Sequence, residues 1–366
     1  MLKIGGIEMH MGPTVLGAPD DLDAVIQSFI DGAKSTLDVA VQEIDSEAIA
    51  QKIIAAKQRG VRVRVILEGD YLTEDTAQAD PWAILQPGDN NEANRRILNA
   101  FLRARIDVVS DLNAAIFHQK FIVRDLGKPT AATLTGSTNF TLTDTGKNTD
   151  GRGNNLNHLV ILHGASAANQ YAGEFERLRS GTFGELHERV EPRPREFTLG
   201  GMRVKPLFAP RHGPEMEVMK QMLKATKSID FAMFTFSKTS GIDDTMLRLA
   251  QAQPKIRIRG VLDRTQGAQG WAPTQTLKAA GVELYANKPG TGVRKLHHKL
   301  MVIDEELVIA GSFNYTEPAT VFNDENIVVI GDTEVTDPGV MGNQHSLADY
   351  ALTEIERIIA DLGKPV

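Results

Sequence analysis

The chain contains no cysteine, which excludes disulfides and thiolate metal sites and fits a cytoplasmic protein. No apolar run approaches the length of a membrane span, so stable membrane insertion is not expected. The opening MLKIGGIEMHMGPTVLG lacks the basic-then-apolar layout of an export signal. Positive charge is not in surplus either: 40 Lys and Arg against 47 Asp and Glu give a net charge of −7. A protein that coats nucleic acid through a broad basic surface is usually basic overall. Any polyanion bound here should therefore enter a local positive cleft. No set of His, Asp and Glu has the spacing of a metal site, and no cofactor is expected.

What is present is a repeat. His-x-Lys-x4-Asp followed by Gly-Ser-x-Asn occurs first as His118, Lys120, Asp125, Gly136, Ser137 and Asn139. It occurs again as His297, Lys299, Asp304, Gly311, Ser312 and Asn314. FHQKFIVRD and LHHKLMVID both read as strands, on which side chains two apart share a face, so each His projects with its Lys. Aligning the motifs brings the halves into register. Helical spacing at Leu22, Val25, Ile26, Phe29 and Ile30 is matched at Val218, Met219, Met222 and Leu223. The strand TLDVAVQEI from Thr36 matches SIDFAMFTF from Ser228, and NHLVIL from Asn157 matches ENIVVI from Glu325.

Helices alternate with strands throughout, so each half is expected to be an α/β layer structure. A total of 366 residues with 42% hydrophobic content supports two such cores. The Pro-rich, charged stretch 187–201 reads as a connection. The expected division is 1–188, a linker 189–201, and 202–366. An insertion at about 71–94, polar and containing Pro87, Gly88 and Asp89, reads as a surface loop near the site or a lid.

Two His-Lys pairs suit phosphodiester cleavage without a metal. One imidazole can attack phosphorus and form a phosphohistidine, dividing a hard step into two. The other, protonated, can supply the leaving oxygen with a proton and later activate water. Lysines and asparagines then offer donors to the non-bridging oxygens.

The duplicated motif resembles the phospholipase D superfamily over nearly the whole chain. The resemblance implies two tandem pseudo-symmetric α/β domains, each a central mixed β-sheet flanked by helices, with the active site at their interface. It implies that His118, Lys120, Asn139, His297, Lys299 and Asn314 share that site, with Ser137 and Ser312 beside it. Asp125 and Asp304 would be structural. The family also places a carboxylate after the Asn, aimed at the opposite histidine; Glu325 fits, so it should support His118. The first half departs from the pattern, with Asn157 at the aligned position and Asp150 as a substitute. That asymmetry makes His118 the nucleophile and His297 the general acid. Because the fused halves complete one site, a monomer suffices.

Other residues carry plainer readings. His298, His158 and His163 are expected to be structural, and His10 and His212 to serve loops near the mouth. Arg62, Arg64, Arg257 and Arg259 alternate with apolar residues as on any half-exposed strand. Arg95, Arg96, Arg103 and Arg105 are better candidates for steering phosphate. Phe140 and Tyr315 pack in a core by default, with base stacking as the sharper alternative. GSFNYTEPATVFNDENIVVI, from Gly311, is similar to the superfamily's endonucleases, in which an aromatic-Thr pair follows the Asn. The Asp-x-Arg-Ser continuation of cardiolipin synthases is missing. The sequence therefore favours nucleic acid, as a single strand threaded through a cleft, with phospholipid as the alternative and a non-catalytic binding module third.

Overall fold

The structure is a computed structural model that describes every residue except 77, 78, 81, 85–87, 112, 113 and 187–190. In chain order, the first half forms β1 (Leu2–Ile4), β2 (Ile7–Gly12), β3 (Thr36–Val41), β4 (Arg62–Glu68), β5 (Asp107–Asp111), β6 (Lys120–Arg124), β7 (Ala132–Gly136) and β8 (Asn154–His163). The second forms β9 (Phe197–Leu199), β10 (Met202–Ala209), β11 (Ser228–Met233), β12 (Arg257–Leu262) and β13 (Glu283–Asn287). It continues with β14 (Val293–Leu296), β15 (Lys299–Ile303), β16 (Leu307–Gly311), β17 (Glu325–Ile330) and β18 (Gly363–Pro365).

The first sheet runs β1-β2-β8-β7-β6-β3-β4-β5 and the second β9-β10-β17-β16-β15-β11-β12-β13-β18. The same strand order in both, β18 aside, is the structural form of the repeat. Each sheet is mixed: β3-β4-β5 and β11-β12-β13 are parallel, the remaining ladders of these two paths antiparallel. One strand breaks the division between halves. β14 belongs by sequence to the second half, yet pairs parallel with β8 of the first sheet.

The period-two pattern explains how each sheet is buried on both faces. In β3, Leu37, Val39 and Val41 join a core made only of first-half residues, whereas Ala40 joins a core shared by both halves. In β11, Ile229, Phe231 and Met233 face the second half's own core and Ala232 the shared one. The shared core includes Tyr171 and Phe175 of the helix Ala165–Arg179, and Leu347, Ala351 and Ile355 of the helix Pro338–Arg357. Apolar side chains of both halves thus bury one another in a single cluster, a favourable contact at roughly 25 cal/mol per Å² of apolar surface covered.

The expected connection contains a strand. Residues 187–190 lie outside the described set, while Phe197–Leu199 form β9 against β10. Pro87 of the insertion also lies outside the described residues. The insertion's base is anchored: the Asn94 side chain accepts a hydrogen bond from Ile44 N at 3.1 Å. Tyr71, at its start, reaches the pocket described below. No helix among the described residues is long and apolar enough to cross a membrane.

Candidate active site

The motif glycines set the geometry. Gly136 and Gly311 adopt φ of +156° and +154° at the ends of β7 and β16. A Cβ there would come within 2.3 Å of His158 O and 2.2 Å of Asn326 O. Only glycine lets the chain approach so closely, and the next residue profits. Ser137 N donates to His158 O at 3.1 Å, and Ser312 N to Asn326 O at 3.0 Å. Each serine Oγ accepts from the backbone N–H of His158 (3.1 Å) or Asn326 (3.0 Å). The hydroxyl proton is therefore directed at the neighbouring side chain. Ser137 Oγ donates to Asn157 Oδ1 at 2.8 Å, and Ser312 Oγ to Glu325 Oε2 at 2.6 Å.

Those same two oxygens meet the histidines of the opposite half. His118 Nδ1 lies 2.7 Å from Glu325 Oε2, and His297 Nδ1 lies 2.9 Å from Asn157 Oδ1. With Asn157 Oδ1 accepting, His297 must carry its proton on Nδ1, which leaves Nε2 open. The backbone brings them together. His118 N donates to Asp324 O, and His297 N to Leu156 O, both at 2.9 Å. The imidazole centroids are 6.5 Å apart, their planes inclined by 75°. Both rings line a pocket of about 260 Å³, together with Asn139 and Asn314. Asn139 and Asn314 each have an Oδ1 with no hydrogen-bond partner.

The lysines lie beneath the rings and are supported differently. Lys120 Nζ donates to His118 O (2.7 Å) and to Gln42 Oε1 (2.9 Å). Lys299 Nζ donates to His297 O (2.9 Å) and sits 5.0 Å from the centroid of Phe234. Gln42 and Phe234 occupy matching places after β3 and β11, so the repeat itself could have marked them. Asp144 is the carboxylate nearest His297, at 3.8 Å from Nδ1. It also accepts from Asn139 N at 2.8 Å and from the Asn155 amide. It lies in a short helix, Leu142–Thr145, whose counterpart has Ala319 at the aligned position. Of the two substitutes for the missing carboxylate, Asn157 contacts His297. Asp150 is instead bound to Arg152 and Asn148 at the surface.

Burial governs the charges. It pushes His118 well below its ordinary value, followed by repulsion from Lys120 and Lys299. His297 is lowered by burial, then by Lys299 and Lys295. Burial also brings Lys120 down to about 7, against the opposing pull of Glu325, and raises Glu325 to about 8 despite Lys120. Burial thus drives the charged groups of the site toward neutrality. A bound phosphodiester would reverse this by restoring a counter-charge to lysines and imidazoles.

Asp125 and Asp304 sit elsewhere, at the far ends of β6 and β15. Asp125 Oδ1 accepts from Lys34 N (2.8 Å) and Ser35 N (2.7 Å) ahead of β3. Asp304 Oδ1 does the same with Lys227 N (2.7 Å) and Ser228 N (2.9 Å) ahead of β11. The arginines expected to steer phosphate do not line the pocket: Arg95 pairs with Asp89, and Arg96 with Glu47 at 2.8 Å. Arg294 and Lys295, from β14, line it in their place. Phe140 and Tyr315 are buried, which excludes base stacking. His158 and His298 stack 5.4 Å apart beneath the site, with Nδ1 atoms at 3.2 Å. His10 lies between Glu8 and Asp20, away from the pocket, and His212 packs on Phe208.

A family model described as cardiolipin synthase, PLD-like domain, matches residues 26–179 and 218–338, once in each half. The phospholipase D of Rickettsia conorii is 31% identical over 122 residues, which is 33% of this chain and 58% of that protein. A mitochondrial cardiolipin hydrolase of Chlamydomonas reinhardtii is 30% identical over 100 residues, or 27% of this chain and 42% of that protein. The chain thus spans about half the length of the curated relatives it matches. The crystal structure of a phosphatidylserine synthase from Haemophilus influenzae superposes with a TM-score of 0.65 at 13% identity, covering 99% of this chain and 87% of that one. At that identity the likeness concerns the fold alone.

Proposed function

The chain belongs to the phospholipase D superfamily, and from that premise we propose that it cleaves a phospholipid headgroup phosphodiester through a phosphohistidine. One observation carries the reading: two imidazoles from opposite halves face one pocket, one backed by a carboxylate and the other by an amide. His118, with Nδ1–H directed at Glu325, attacks phosphorus through Nε2. The P–O bond to the headgroup alcohol breaks, and His297, protonated in the substrate complex, gives that oxygen its Nε2 proton. A water then loses a proton to neutral His297 and attacks phosphorus, breaking the P–N bond and freeing His118. Lys120, Lys299, Asn139 and Asn314 hold the non-bridging oxygens. If an alcohol replaces the water, the same steps give headgroup transfer.

The choice of lipid departs from the sequence's preference for nucleic acid. The aromatic-Thr pairs behind that preference have local roles. Phe140 and Tyr315 fill the cores, and Thr141 and Thr316 cap short helices by accepting from Asp144 N and Ala319 N. The relatives reported above are named for phospholipid chemistry, which supports the same direction. The test is a parallel assay in EDTA with phosphatidylcholine and cardiolipin vesicles, single- and double-stranded DNA, and RNA. Headgroup or phosphatidic acid release is expected, lost in both His118→Ala and His297→Ala. Nucleic-acid cleavage with no lipid turnover would reverse the choice.

A further inference from the structure

We propose that the buried pair His158–His298 positions the nucleophile, by holding the piece of backbone that carries Ser312 and, through it, Glu325 against His118. The proposal rests on the reading of His118 as the attacking group. Both rings of the pair are shut away from solvent, and neither lines the catalytic pocket. Their planes are inclined by only 4°, with the Nδ1 atoms 3.2 Å apart. His158 Nε2 accepts from Gly311 N at 3.2 Å. That bond assigns the protons of the pair. An accepting Nε2 leaves the neutral His158 ring its proton on Nδ1, which donates to His298 Nδ1. His298 then carries its own proton on Nε2, which faces Glu354 Oε1 at 3.7 Å.

Gly311 needs such a partner. Ser312 N donates to Asn326 O of β17, and successive N–H groups of a strand point to opposite sides. Gly311 N–H therefore faces away from β17, one residue beyond the last pair of β15 and β16, Leu300–Ala310. A buried N–H without an acceptor is costly, and His158 supplies the acceptor. The next residue, Ser312, donates its hydroxyl to Glu325 Oε2 at 2.6 Å, and that oxygen lies 2.7 Å from His118 Nδ1. His158 thus reaches from the first half to fix the second-half support of the first-half nucleophile.

The repeat contains the same brace in another form. Asn326 follows Glu325 as His158 follows Asn157, and Gln119 follows His118 as His298 follows His297. Asn326 Nδ2 donates to Gln119 Oε1 at 2.7 Å, and Asn326 Oδ1 accepts from Thr135 Oγ at 2.8 Å. Thr135 precedes Gly136, whereas Ala310, at the same place before Gly311, has no hydroxyl to offer. The brace is therefore built twice, once from amides gripping a side chain and once from imidazoles gripping the backbone. An imidazole has a nitrogen at both the δ and the ε position, so His158 takes Gly311 N–H and His298 together.

The test compares His158→Gln and His158→Asn in the full chain. Gln places an oxygen where Nε2 stands and keeps the bond to Gly311. Asn places its amide at the Nδ1 position, keeps the donor to His298 and leaves Gly311 N–H without an acceptor. The substrate is bis(p-nitrophenyl) phosphate in EDTA, a generic phosphodiester. The readout is the single-turnover rate constant for nitrophenol release, which does not depend on the fraction of enzyme that is folded. His158→Asn is expected to lose at least about ten-fold, and His158→Gln to recover to within about three-fold of wild type. A purely structural role would lower Tm and leave those rate constants unmoved. The second readout is the His118 Nδ1–H proton resonance in isotope-labelled protein, identified by its absence in His118→Ala. It should shift or broaden in His158→Asn and hold its place in His158→Gln. Wild-type rates in both variants with an unmoved resonance, or equal losses in both, would overturn the brace and leave phosphodiester cleavage standing. If wild type releases no nitrophenol, the cleavage reading falls and the resonance alone decides the brace.

Discussion

Replacing Glu325 by Gln changes one charge and almost no shape. The carboxylate is fully buried and accepts on Oε2 from Ser312 Oγ at 2.6 Å and from His118 Nδ1 at 2.7 Å. An amide oxygen in the same place accepts both bonds, and the first histidine's support then copies that of the second, Asn157 on His297. What disappears is the negative charge facing an imidazole that becomes cationic as its Nε2 bonds phosphorus. A unit pair at about 4 Å is worth roughly 4 kcal/mol at an effective dielectric of about 20. A hydrogen bond to a charged group exceeds a neutral one by about 1–2 kcal/mol. A loss of about 2–4 kcal/mol in the transition state follows, or roughly 30- to 1000-fold in rate. Rapid-quench kinetics should place the whole loss in phosphoenzyme formation, with circular dichroism and melting little changed. A loss under about three-fold, or a phosphohistidine trapped on His297, would refute the reasoning that makes Glu325 the partner of the nucleophile.

The free enzyme should work best in mild acid. Catalysis needs Lys120 charged, His297 protonated and Glu325 ionised. Burial first, then neighbouring lysines, lowers His297 from 6.5, and burial brings Lys120 down to about 7. Burial raises Glu325 to about 8, so activity also falls in stronger acid as Glu325 takes up its proton. Groups with depressed basic pKa values hold their protons only below those values, so kcat/KM should fall as pH rises through about 7. An optimum above pH 8 contradicts this. Because burial works against the charges of Lys120 and Lys299, inorganic phosphate should raise Tm, adding about 2.7 kcal/mol of stability at 100 times its Kd. Lys120→Met should melt higher than wild type without ligand and lose most of the phosphate response; scanning calorimetry reads both. Asp304→Ala removes the acceptor for Thr226 N, Lys227 N and Ser228 N. Urea titration should show a loss of about 2–4 kcal/mol, while kcat measured well below the new Tm stays within about three-fold of wild type.

Much of this architecture follows from local pattern. Apolar residues at both odd and even positions of β3 and β11 call for sheets buried on two faces, and the repeat requires that this happen twice. Gly136 and Gly311, each followed by Ser, were visible as motif letters; their reason, the approach of β7 to β8 and β16 to β17, is a packing fact. The mutual placement of His118 and His297 was implied by the resemblance. Their supports were only half readable. Glu325 stood where the motif put a carboxylate, but the sequence left Asn157 and Asp150 open.

The sequence alone determined the duplication, the α/β class and the inventory of groups able to act on a phosphodiester, because these depend on spacing along the chain. Tertiary structure decided which groups meet. Asp144 approaches His297 only because the short helix after Asn139 lies against β8, and Arg294 and Lys295 reach the pocket only because β14 crosses to the first sheet. Arg95 and Arg96, promising by position, are turned to partners outside the pocket. The pocket between His118 and His297 takes its walls from both halves of the chain, and no periodicity encodes a surface made of two segments that meet only when the halves close.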